Sequence, residues 1–263
     1  MLSLKVGTVR YKYLWEQVKS LRDRRKPLVD CHRYENPEPR KGRVEDFYFL
    51  TPIGKTALVN ELLFFEKKIK IPSNKTPAYK DYFHRKFTIN FQIELDKWAK
   101  DADLNVPFFN TYFDMDGNNR VSKDLRAKTK IDMEDGDYFI PDGVFKLEGS
   151  NVQRTFLFEM YNGKDSNRVI EQLHKHSIAL TNRFTHHSFG LELTKSYTII
   201  LVFEYEGIKN AVIEKSKKEI SKSGKQSFVN IQKYFLCKSL EEVNKGNFYK
   251  NWKTLFGQKT NLF

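Results

Sequence analysis

With 263 residues the chain is long enough to bury a substantial core, and one large or two unequal domains are expected, two being preferred. Its 46 Lys and Arg against 33 Asp and Glu give a net charge of +13 and a pI near 9.5, which points to a polyanionic partner such as nucleic acid or an anionic membrane. No apolar run approaches the roughly 20 residues of a membrane span. The N-terminal MLSLKVGTVRYKY lacks the apolar stretch of a signal peptide, and Cys31 and Cys237 have no CxxC partner, so the expectation is a soluble protein of a reducing cytoplasm without zinc or disulfide framework.

Residues 11–25 place Tyr11, Leu14, Trp15, Val18 and Leu21 at helical spacing, with Lys12, Lys19, Arg22, Arg24 and Arg25 largely around the rest of the helix. Pro27 ends this basic amphipathic helix, and residues 28–33 read as a strand. A charged loop carrying Arg40, Lys41 and Arg43 follows, and residues 46–50 return as a second strand. Thr51-Pro52 is a helix start, a capping hydroxyl before a proline, and Leu58, Leu62, Phe65 and Ile69 continue an apolar stripe. Helix, strand, basic loop, strand is the order of a winged helix, so residues 1–72 are expected to form a winged-helix-like DNA-binding module. Arg22, Arg24, Arg25, Arg40, Lys41 and Arg43 would neutralise phosphates there. KIPSNKTPAY, with two prolines, places a linker at 73–78.

The remainder, 79–263, reads as a second domain. A helix over 79–100 carries Phe83, Phe87, Phe91, Leu95 and Trp98 in a broad stripe. At about 100° per residue Glu94 projects into that stripe, where an acid needs a partner, a metal, or an edge from which it reaches water. A strand is expected over 108–115 and a polar turn at 116–119; its likeness to a calcium loop fails because the glycine is early and Leu125 stands where the closing Glu belongs. A helix over 167–181 and an apolar strand over 197–205 come later, then the basic run KSKKEISKSGK at 215–225 and a closing segment around 229–236 with Trp252. His174, His176, His186 and His187 cluster in sequence. Positions two apart on a helix face away from each other, however, and no HExxH is present, so zinc is not expected.

The chemistry concentrates between these helices. Residues 138–147 and 155–161 read as a hairpin turned at 149–151, and side chains alternate along a strand, so Leu157, Glu159 and Tyr161 share a face that Asp142 can meet. Asp142 after Pro141 and Glu159 at the end of the next strand offer oxygens to a hard divalent cation. Tyr161 could orient water, bond a phosphate or attack it, or simply pack by its ring.

This order, helix with an inward acid, strand, strand with Pro141-Asp142, strand with Glu159-x-Tyr161, helix, strand, resembles the PD-(D/E)XK nuclease core. With FYFLTPIG at 47–54, His84 at the head of a helix, IPDGVFKL at 140–147 and FLFEMYNGK at 156–164, the chain resembles the replication-relaxation family and MOBC-type plasmid relaxases. The resemblance implies a restriction-endonuclease-like α/β fold: a mixed sheet flanked by helices behind the N-terminal module. Asp142, Glu159 and Glu94 would be magnesium or manganese ligands and Tyr161 would stand in the lysine slot, with Lys164 close enough to migrate into that role. Gln172 and His176 are similar to a Gln-x-x-x-Tyr signature with His in place of Tyr. The implied activity is metal-dependent nicking at a plasmid or mobile-element origin. Its implied partners are double-stranded and nicked DNA and other plasmid-processing proteins, with no membrane. The alternative is a nuclease-like DNA-binding accessory factor without activity.

Overall fold

The computed structural model describes residues 11–33, 46–61, 79–117, 126–150, 152–192, 197–223 and 232–263. Arg40, Lys41, Arg43, Leu62, Phe65, Ile69, the linker at 73–78 and Leu125 lie outside them. The chain divides into two units, Met1–Tyr82 and Phe83–Phe263.

In the first unit, helix α1 (Tyr11–Arg22) precedes strands β1 (Val29–His32) and β2 (Phe47–Leu50), which pair antiparallel with Val29 opposite Leu50, and then helix α2 (Pro52–Glu61). The Trp15 ring meets Tyr48 edge-on at 6.0 Å, joining α1 to β2. The start of α2 follows from its sequence. Thr51 Oγ1 accepts from the Gly54 N–H at 3.0 Å, satisfying a first-turn amide, and donates to the Pro27 carbonyl at 2.6 Å. Gly54 lets the helix touch the chain before β1: a Cβ there would sit 1.8 Å from the Leu28 carbonyl oxygen. Leu50-Thr51-Pro52-x-Gly54 is therefore a helix cap followed by a close backbone approach.

The second unit is mixed α/β, a large mixed sheet flanked by helices. Helix α3 (Tyr79–Asp101), which begins just before the division, leads to strand β3 (Phe109–Thr111). Two small hairpins follow, β4 (Met115–Asp116) with β5 (Arg126–Ala127) and β6 (Ile131–Asp132) with β7 (Tyr138–Phe139). Then come β8 (Gly143–Gly149), β9 (Val152–Tyr161), α4 (Ser166–Thr181), α5 (Phe184–Phe189), β10 (Tyr197–Phe203) and α6 (Glu206–Ser223). Strand β11 (Phe235–Ser239), α7 (Leu240–Asn244), β12 (Trp252–Thr254) and β13 (Lys259–Thr260) close the chain. The sheet order is β13-β12-β11-β10-β9-β8-β3, with β9, β10 and β11 parallel and the other neighbours antiparallel.

Period-two alternation sorts the core. Leu157, Tyr161, Ile199, Leu201, Phe203 and Phe235 face Val169, Ile170 and Leu173 of α4 and Val212 of α6. Phe156, Phe158, Met160, Ile200 and Val202 face Phe91, Leu95 and Ala99 of α3 on the other side. Phe91 stacks on Phe158 at 4.2 Å.

Several boundaries differ from the sequence reading. The strand expected over 108–115 stops at Thr111, because Asp114 Oδ2 accepts from the Thr111 N–H and hydroxyl and closes a turn. The strand expected over 138–147 is two strands, since Pro141 has no N–H to continue a ladder and β7 pairs with β6. In α3 the stripe rotates: Phe83 is exposed, whereas Thr88 and Ala99 are buried beside Phe91 and Leu95. The basic run at 215–225 begins inside α6, where Lys217 pairs with Glu214 at 2.7 Å and Lys215 donates to Ser166 and Asn167.

Candidate functional site

The β8–β9 register places Gly143 opposite Phe158, so continuing the pairing by one residue sets Asp142 across from Glu159. Asp142 sits at the head of β8 with its carbonyl accepting from the Tyr112 N–H beyond β3. Its Oδ2 accepts from the Met160 N–H at 2.7 Å, and its Oδ1 lies 2.8 Å from His84 Nε2. Glu159 is almost wholly buried, and its Oε1 lies 2.6 Å from His176 Nε2. Asp142 and Glu159 are thus neighbours at the end of the β8–β9 pair, and the Met160 amide that Asp142 accepts from adjoins Glu159 in the chain. The four side chains form one continuous line, His84, Asp142, Glu159, His176, running from α3 across two strands to α4.

The electrostatics follow from burial. Desolvation first, and then the negative charge of Asp142, raise the Glu159 carboxyl well above the usual range. Burial lowers the His176 imidazole to about 3 and keeps it neutral. Its Nδ1 is buried and unpartnered. A proton on Nε2, donated to Glu159, leaves only an acceptor unpaired, whereas the other tautomer would strand a buried N–H. Phe139 packs edge-on against the ring at 4.8 Å.

Tyr161 shares the face of Glu159, as the strand period requires. Its ring stacks on Phe203 at 5.1 Å, and its hydroxyl is buried with no hydrogen-bond partner. Burial, followed by the charges of Glu159 and Asp142, holds its ionisation well above the ordinary tyrosine value. A phenol enclosed in this way is packed and neutral, not presented for attack on a phosphate.

Two expected members are elsewhere. Glu94 is not brought to Asp142 and Glu159: it lies ten residues beyond His84, about 15 Å along the helix, and pairs with Lys97 at 2.8 Å on a partly exposed face. Lys164 does not enter the lysine slot; it is exposed, with its ammonium over the Tyr205 ring at 5.7 Å. Among the described residues no group of three or more His, Cys, Asp or Glu is arranged to hold a metal, so Glu94 does not join Asp142 and Glu159 as a third acid. The chemistry of those two acids, neighbouring carboxylate oxygens, is of the kind a hard divalent cation takes.

The residues gained are His84 and His176. His84 precedes Phe91 by seven residues, two helical turns, and so projects onto the stripe that packs on the sheet. That periodic signal was available to find it. His176 is buried and His174 exposed, the opposite faces that their spacing demands.

In the first unit, Arg24 and Arg25 are exposed just past α1, whereas the Arg22 guanidinium is held by Asp23 at 3.1 Å and reaches Cys31 Sγ at 3.8 Å. Two of the expected phosphate contacts thus face solvent, and one is committed within its own unit.

Comparison of the chain with protein-family profiles, with curated proteins and with solved structures gives no match in any of the three. No helix among the described residues is long and apolar enough to cross a membrane.

Proposed function

We propose that the chain is a metal-dependent DNA endonuclease of the PD-(D/E)XK type, a relaxase-like nickase acting at a plasmid or mobile-element origin, with a winged-helix-like basic module ahead of its nuclease core. One observation carries the reading. Asp142 at the head of one strand and Glu159 near the end of its antiparallel neighbour stand across from each other, two acids side by side. The element order α3, β3, β8, β9, α4, β10, with β9 and β10 parallel, supports it.

Magnesium or manganese, bound by these acids, would supply Lewis-acid stabilisation of the phosphate and a more acidic water. Asp142 holds its carboxylate ready, one oxygen on the Met160 N–H and the other at His84. Glu159 would be the second acid holding the cation, and His176 orients it at 2.6 Å. The side chain of Asp142 is 14% exposed, which makes it the acid at the open end of the pair, where a DNA phosphate would approach. The net charge of +13 and the exposed Arg24 and Arg25 suit a polyanion.

A second reading, a DNA-binding accessory factor without nuclease activity, is favoured by one fact: the lysine slot holds the buried Tyr161, and Lys164 lies against Tyr205. Conversion of supercoiled origin DNA to open circles in magnesium separates the two. The nickase reading expects conversion by the wild type and none by Asp142→Ala. Equal conversion by both places any nicking elsewhere, and none by either leaves the accessory reading.

A further inference from the structure

Asp142 is held from two directions, and only one of the holds belongs to the hairpin. The Met160 N–H fixes Oδ2 at 2.7 Å from within the β8–β9 pair. Oδ1 is met by an imidazole from another layer, His84 Nε2 at 2.8 Å. We propose that His84 is a positioning residue: from α3 it fixes the Asp142 carboxylate in the orientation in which Asp142 and Glu159 take up a divalent cation. This rests on the metal-dependent reading above and gives His84 a role of its own within it.

The imidazole is itself well held. Nδ1 faces the Asn162 side-chain amide at 3.4 Å, just beyond the end of β9. The Tyr112 ring packs edge-on against it at 5.4 Å, and the Tyr112 N–H bonds the Asp142 carbonyl, so ring and acid share one support. Thr88 donates to the His84 carbonyl at 3.0 Å, one turn further into the buried stripe. Three elements, α3, the end of β3 and the end of β9, thereby converge on one ring.

The hold matters because of what lies on the other side of Asp142. Glu159 stands across from it on β9. A carboxylate tied at only one oxygen can turn about its Cβ–Cγ bond and leave that orientation. With both oxygens anchored the orientation is preset, and binding loses less to reordering. Outer hydrogen-bond partners of metal ligands commonly contribute roughly 10- to 100-fold in metal affinity. With Glu94 committed to Lys97, α3 reaches Asp142 through this imidazole instead.

The test uses the full chain as wild type, His84→Ala, His84→Gln and Asp142→Asn. Manganese binding by calorimetry is expected to weaken about tenfold or more in H84A, with melting temperature held, and to recover in part in H84Q, whose side-chain N–H can reach Oδ1. The imidazole nitrogen spectrum of His84 is expected to place the proton on Nε2 in the wild type and to move in D142N. Wild-type manganese affinity in H84A overturns the proposal, as does an affinity loss matched by a fall in melting temperature that H84Q does not relieve. If the wild type binds no manganese, the metal-dependent reading fails. The imidazole spectrum then decides the His84–Asp142 hold separately, and an unchanged signal in D142N refutes it.

Discussion

Replacing Glu159 with Gln should uncover a pH dependence of stability that the native pair conceals. Unfolded His176 takes up a proton at its ordinary value of about 6.5, whereas the folded, buried ring does so only at about 3. Between those values the unfolded state binds more protons, so this group lowers stability as pH falls below 6.5. Glu159 works the other way. Its folded value is raised above the unfolded one, so stability is greatest at low pH and declines as pH rises from the ordinary carboxylate range toward the raised value. In the wild type the two slopes oppose each other. Glu159→Gln removes the acid and keeps an acceptor for His176, leaving the histidine slope alone. From the two values, that slope amounts to about 2 kcal/mol between pH 7 and pH 5. For a unit of this size that is a melting-temperature drop of about 4–8 °C. His176→Gln should show the reverse, stability falling as pH rises above the carboxylate range. Circular-dichroism melts at pH 5, 6 and 7 in chelator measure this, and the E159Q/H176Q double variant subtracts the other histidines. One pH dependence shared by E159Q and the double variant would refute the assignment of the slope to His176.

Tyr161→Phe removes a buried hydroxyl that has no partner, so it should raise stability by about 1 kcal/mol, read as a higher melting temperature, while magnesium-dependent nicking is retained. Loss of nicking in a stabilised variant would instead make the hydroxyl part of the chemistry. Arg24→Gln with Arg25→Gln should weaken DNA binding equally across sequences. By anisotropy, it should also reduce the slope of log affinity against log salt by about 2, close to one for each arginine that no longer neutralises a phosphate. Gly54→Ala forces a carbon to within 1.8 Å of the Leu28 carbonyl oxygen. It should destabilise the first unit by more than about 2 kcal/mol, seen as proteolysis within Met1–Tyr82 while Phe83–Phe263 stays resistant.

The parts of this fold legible in the sequence are those set by local periodicity and chain chemistry. Alternation put Leu157, Glu159 and Tyr161 on one face, and Thr51-Pro52 marked where α2 begins. The break at Pro141 was equally readable, because proline cannot continue a ladder, yet the strand-like run across it invited one strand where there are two. The candidate site was legible in its two acids and misread in its surroundings. Glu94 projects near the apolar stripe, but projection ignores distance along the axis, and ten residues carry it away from the strand ends where Asp142 and Glu159 meet. His84 lies on the same stripe at the right height. Its meeting with Asp142 depends on how α3 crosses the sheet, which periodicity does not give. His176 likewise depends on α4 setting one particular turn over Glu159.

Manganese titration of the wild type and Asp142→Ala by calorimetry, at neutral pH in moderate salt, bears most directly on the claim that Asp142 and Glu159 form a divalent-cation site. One binding event is expected in the wild type, and its disappearance in D142A. Absence of binding in the wild type, or binding that survives D142A unchanged, would contradict the claim.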